Sequence, residues 1–131
     1  MTISTTAHYG LIAAAYIAEH ANEGCVMASR ISAKYGISLL YLLRIMKEMV
    51  KANVLGSRRG RKGGYILARP AKEITLLEII EAAGGPIAGQ LELAQLAKKA
   101  RFSVQMEKVC QRASEKAASI LSRAKLSQMI G

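Results

Sequence analysis

Aspartate and tryptophan are both missing from this chain, and phenylalanine occurs once, at Phe102. Without Asp, a frequent carboxylate of metal and phosphoryl-transfer sites is gone, and all acidic side chains are Glu. With only Phe102 and five tyrosines as aromatic mass, the core must be built from Leu, Ile, Val, Met and Ala. Two cysteines, Cys25 and Cys110, cannot form the disulfide framework of a small secreted domain. No apolar run approaches the roughly 20 residues needed to cross a bilayer. The start, Met1-Thr2-Ile3-Ser4, lacks the basic stretch and apolar run of a signal peptide. The cytoplasm is therefore the expected compartment. There is also no G-x-S-x-G elbow, no strand-to-helix phosphate loop, no zinc motif and no Ser/His/Asp arrangement, so an enzyme is not expected.

What is present in excess is positive charge. The formal net charge is +10 over 131 residues. Residues 1–70 carry ten Lys/Arg against three Glu, whereas residues 71–131 carry nine against six. The electrostatic footprint lies in the first half, and a polyanionic partner is implied.

The apolar spacing predicts a helix over residues 5–21, with Ala7, Leu11, Ala14, Ala15 and Ala18 on one side. A short helix over 28–35 follows, with Ile31 inward and Gly36 as its stop. Ser38 is a natural N-cap for a third helix running to Ala52. Its buried side is expected to be Leu39, Leu42, Ile45, Met46, Met49 and Val50, with Leu40, Arg44, Lys47 and Lys51 outward. Residues 54–57 and 65–68 read as strands, and Arg69-Pro70 ends the second. Thr75 and Glu78 form a capping-box pattern, and Ile74 and Ile79 fit a hydrophobic staple beside it. That box opens a helix from Leu76 to Gly84. Residues 90–100 favour a helix, and a last helix is expected over 103–127. It carries a narrow apolar face of Met106, Val109/Cys110, Ala113, Ala117, Ile120/Leu121 and Ala124, which calls for a partner helix.

Between the two strands lies Arg58-Arg59-Gly60-Arg61-Lys62-Gly63-Gly64, four cations and three glycines in one turn. Glycines permit the tight reversal, and cations at its tip serve no core. Three short helices followed by a hairpin are the order of a winged helix-turn-helix: mainly α with a small β-hairpin. Such a fold places its recognition helix in the major groove and its wing beside it. Arg44 suits a bidentate bond to guanine, and Lys47 and Lys51 suit phosphates. The wing cations Arg58, Arg59, Arg61 and Lys62 suit an adjacent minor groove. Tyr41 either packs inward or donates to a phosphate; packing is the preferred reading.

Several stretches resemble the IscR/NsrR/CymR family of bacterial transcription regulators. They are Ile3-Ser4-Thr5, Tyr9-Gly10-Leu11, Tyr35-Gly36-Ile37-Ser38, Tyr41-Leu42, the wing from Arg58 through Arg69-Pro70, and residues 74–82. The resemblance is dense over residues 1–86 and looser beyond. It implies a DNA-binding domain over 1–86 and a linker with a dimerisation helix over 87–131. It further implies a homodimer binding an imperfect palindrome, mainly as a repressor, through the helix at 38–52 and the wing at 58–64. Double-stranded DNA and a second copy are the expected partners, with no membrane.

The departures from that pattern are specific. Relatives that carry an iron–sulfur cluster hold it on three cysteines between the fourth and last helices, where this chain has only Cys110. A cluster needs four ligands, so none is expected, and neither is another cofactor or metal. Cys110 and His8 are the candidates for redox or ligand sensing; the alternative is packing, on the last helix and the dimer arm. The signal stays open among a small molecule, a protein co-regulator and thiol oxidation. Leu43 stands where cluster-binding relatives commonly place a glutamate, so their operators do not transfer. The competing reading is a general nucleic-acid or protein-binding winged-helix module with no promoter of its own.

Overall fold

The computed structural model describes residues 3–87 and 93–131. Helix α1 spans Thr5–Glu19; Ser4 caps it by accepting the Ala7 N–H on its Oγ at 3.2 Å. The helix is shorter than the sequence suggested, because Ala21–Glu23 tighten into a 3-10 turn. Helix α2 covers Ala28–Tyr35 and ends at Gly36, whose φ of 66° is left-handed and turns the chain toward α3, Leu39–Lys51. Asn53, at φ 61°, closes α3 and feeds Val54 into the hairpin.

Strands β1, Leu55–Arg58, and β2, Gly64–Leu67, pair antiparallel with Leu55 opposite Leu67 and Arg58 opposite Gly64. Both sit one residue away from the expected spans. Val54 is fully buried ahead of β1, donating to the Met49 carbonyl and accepting from Ala68. Arg69 then locks the base of the hairpin. Its guanidinium donates to the Asn53 and Glu73 carbonyls at 3.2 and 3.1 Å and pairs with the Glu78 carboxylate.

Helix α4, Leu76–Gly84, starts where the capping signal lies, with Thr75 Oγ1 accepting the Glu78 N–H at 3.0 Å. Only this half of the capping box forms, because the Glu78 carboxylate is taken by Arg69. Ile74 and Ile79 are both fully buried. Helices α1, α3 and α4 enclose the main core, which includes Ile17, Ile31, Leu42, Met46, Met49 and Leu55. The core is mainly aliphatic, with Tyr16 among its buried residues.

Residues 90–92 of the expected helix over 90–100 lie outside the described residues. Its described part is α5, Leu93–Leu96, followed by left-handed Lys98 and Lys99. Helix α6 covers Arg101–Arg123, not 103–127. The chain breaks helical geometry at Ala124 and Lys125, and α7, Leu126–Met129, follows. The reason is tertiary. The Leu76 N–H donates to the Ala124 carbonyl at 2.9 Å, and the Leu126 N–H donates to the Ile74 carbonyl at 2.8 Å. Leu126 itself enters the main core, 1% exposed.

Candidate nucleic-acid interface

Amphipathic spacing orients α3. Leu42, Ile45, Met46 and Met49 are buried and Val50 is half-buried, as expected. Leu39 is a correction: it is exposed, because it opens the helix beside the hairpin and not over the core. Ser38 occupies the N-cap position, yet its hydroxyl makes no capping bond and stays exposed. Tyr41 is half-buried with its ring edge-on to Tyr9 at 5.7 Å, which fits the packing reading. Arg44, Lys47 and Lys51 are exposed along the outer face. Lys51 reaches the Glu48 carboxylate at 3.4 Å, an exposed pair worth little.

The wing is held from both sides. Beyond its pairing with β1, Tyr65 exchanges two backbone hydrogen bonds with Val26, at 2.9 and 2.8 Å. Gly64 permits that approach: its φ is +141°, and a Cβ there would sit 2.6 Å from the Val26 carbonyl oxygen. The tip is thereby fixed relative to α2 and α3. Arg58, Arg59, Arg61 and Lys62 are all exposed on it. Among the described residues, none of these four, nor Arg44 or Lys47, forms an ion pair. Charges so placed are available to an external anion.

Wing and helix meet along a cleft of about 300 Å³ whose walls include Met27, Leu39, Leu43, Arg58 and Tyr65. Of the residues expected to bind DNA, Arg58 lines this cleft, and Arg44, Lys47, Arg59, Arg61 and Lys62 are exposed on the helix and hairpin that form it. A second cleft, of about 460 Å³, lies on the other side of the wing and brings Cys25 together with Arg30, Arg58, Arg61 and Lys62. Sequence reasoning gave Cys25 no part. Only the Val26–Tyr65 bridge brings it to the wing, and no local pattern announces such a bridge. His8 is exposed on α1, and Cys110 is exposed on α6, within this one chain.

Residues 3–131 match the Rrf2 family, described as iron-dependent transcriptional regulators. The chain belongs to the Rrf2 family. An HTH-type transcriptional regulator from Neisseria meningitidis is 39% identical over 83 residues, 63% of this chain and 56% of that protein. The regulator IscR of Photorhabdus laumondii is 37% identical over 82 residues, 63% of this chain and 50% of that one. The matched segment thus spans about half the length of these curated relatives. Over the whole fold, CymR of B. subtilis, a global cysteine regulator, superposes with a TM-score of 0.76 at 27% identity, covering 98% of this chain and 95% of that one. IscR of T. potens superposes with a TM-score of 0.75 at 28% identity, covering 98% and 85%. The winged helix read from the sequence is the fold of these Rrf2 regulators.

The family description implies iron, and the donors of this Rrf2 chain do not fit an iron–sulfur cluster. Its two cysteines stand apart in the fold, Cys25 beside the wing and Cys110 on α6. Among the described residues, no three His, Cys, Asp or Glu side chains converge. One thiolate at each place falls short of the four ligands a cluster requires.

Proposed function

We propose that this Rrf2 protein is a homodimeric, cytoplasmic transcription regulator that binds an imperfect palindrome in duplex DNA as a repressor, without an iron–sulfur cluster. The observation that carries this reading is the cleft between α3 and the wing, lined by Leu39, Leu43 and Arg58, with Arg44, Lys47, Arg59, Arg61 and Lys62 exposed on the same helix and hairpin. A recognition helix and a basic hairpin at fixed separation match a major groove and the neighbouring backbone or minor groove. The names of its relatives, HTH-type transcriptional regulator and IscR, support regulation as the purpose of binding.

Dimerisation is supported by α6. Phe102, Met106, Val109 and Ile120 are exposed on it, and its buried residues are Ser103 and Ser114. A helix that turns its large apolar side chains outward needs a second surface. A second copy supplies one by symmetry, and a twofold dimer presents two reading faces to a palindrome. The repressor sense follows the family resemblance. Among the described residues no helix is long and apolar enough to cross a membrane.

The test is a titration on a duplex from the protein's own upstream region against a scrambled duplex, at near-physiological salt. Strong preference for the native duplex supports a regulator. Equal affinity for both, with a salt slope of roughly −0.9 per phosphate contacted, points to a regulator of a distant site or to a general nucleic-acid binder.

A further inference from the structure

The exposed face of α3 changes character along its length. Its exposed side chains begin with Leu39, Leu40 and Leu43 and continue with Arg44, Lys47, Glu48 and Lys51. Leu40 is 80% exposed and Leu43 37%. Among the described residues no element covers Leu40, and Met27 lines the cleft beside Leu39 and Leu43 from the α2 side. Base edges are contacted by the N-terminal residues of a recognition helix, so the base-reading end here is apolar and not cationic.

Charge decides what fits this surface. Arg44 and Lys47 follow the leucines along α3 and are exposed, and Arg58 borders the cleft on the wing side. An apolar protein groove placed here would desolvate those cations without pairing them. The occupant must be polyanionic and must also offer small apolar groups. In the major groove the C5 methyl of thymine is such a group, and it sits between two phosphate rows. Leu40 and Leu43, three residues apart on a helix, have Cβ atoms roughly 5–6 Å apart. Base steps advance roughly 3.4 Å along one strand, so the two side chains reach neighbouring or next-neighbouring pairs.

We infer that Leu40 and Leu43, with Leu39 behind them, read thymine methyl groups in the major groove and set the sequence preference of this regulator. The inference rests on the duplex-binding reading above and assigns the base-reading role to the leucines ahead of Arg44.

Deoxyuridine tests it, because it removes the methyl group and leaves base pairing intact. The full-length protein first selects from a pool of random duplexes at near-physiological salt. The enriched sequence is then resynthesised with deoxyuridine at each thymine in turn and titrated with wild type, Leu40→Ala and Leu43→Ala. Wild type is expected to lose about fourfold in affinity per contacted methyl, the equivalent of burying one such group. The two variants should bind the thymine duplex more weakly, lose little more with deoxyuridine, and keep the wild-type thermal midpoint. Equal binding of thymine and deoxyuridine duplexes by wild type would overturn the inference while leaving a sequence-specific regulator in place. Undiminished deoxyuridine sensitivity in both variants would overturn the assignment to these leucines. No enriched sequence at all would overturn the duplex-reading function and this inference with it.

Discussion

Residues 3–87 and helix α6 bury opposite things. In the winged body, Ile17, Ile31, Met46, Met49 and Leu55 are inside, and Arg44, Lys47 and the wing cations are outside. Along α6, Ser103 and Ser114 are inside, and Phe102, Met106, Val109 and Ile120 are outside. The first region buries most of its large apolar side chains within one chain, leaving Leu39, Leu40 and Leu43 outside among its surface cations. The second does not, so its apolar surface is the part of the molecule that requires company. The contrast also separates Leu40 and Leu43 from the α6 residues: these leucines are exposed in a field of cations, which favours a polyanion over a second apolar helix.

The sharpest way to break the comparison is at Leu126, where the end of the chain returns to the winged body. Leu126→Ala empties a fully buried site and should lower unfolding free energy by about 2–5 kcal/mol, read by denaturant titration. A change confined to dimer mass, with core stability intact, would place Leu126 with α6 and not with the body. Val109→Glu comes next. Val109 is 62% exposed, so the fold of one chain should survive, but a charge on the outward face should shift sedimentation toward the monomer. An unchanged mass would remove α6 from the interface. Arg58→Ala with Arg61→Ala should weaken duplex binding and reduce the salt slope by about 2, with thermal stability changed by less than about 0.5 kcal/mol. A large loss of stability at constant affinity would make the wing scaffold. The smallest effect belongs to Cys110→Ser. Its thiol is exposed, and thermal stability should move by less than about 0.5 kcal/mol. An oxidant that releases wild type from DNA but not this variant would make Cys110 the sensor.

Much of the fold is legible in local pattern. Thr75 caps α4 where its side chain and the following Glu suggest, Gly36 ends α2, and the inward face of α3 follows its apolar spacing. The departures have a common cause. Leu39 is apolar and at helical spacing with the buried residues, but the surface it meets is the cleft beside the hairpin. The two strands run one residue nearer the turn than expected, at Leu55–Arg58 and Gly64–Leu67, with Val54 drawn into the core ahead of them. The last helix stops early because Ala124 and Leu126 hydrogen-bond to residues some fifty positions upstream, at Leu76 and Ile74.

By itself, the sequence determined the element order, the aliphatic core, the basic wing and the surplus of positive charge in the first half. Each of these depends on side-chain type at short spacing, and such spacing is readable without coordinates. The tertiary structure alone decided that wing and α3 border one cleft, that Cys25 stands among the wing cations, and that Leu126 closes the core. All three depend on contacts between distant segments, such as the Val26–Tyr65 bridge and the Ile74–Leu126 bond. Long-range closure is set by how whole surfaces fit together, and no residue's own propensity encodes it.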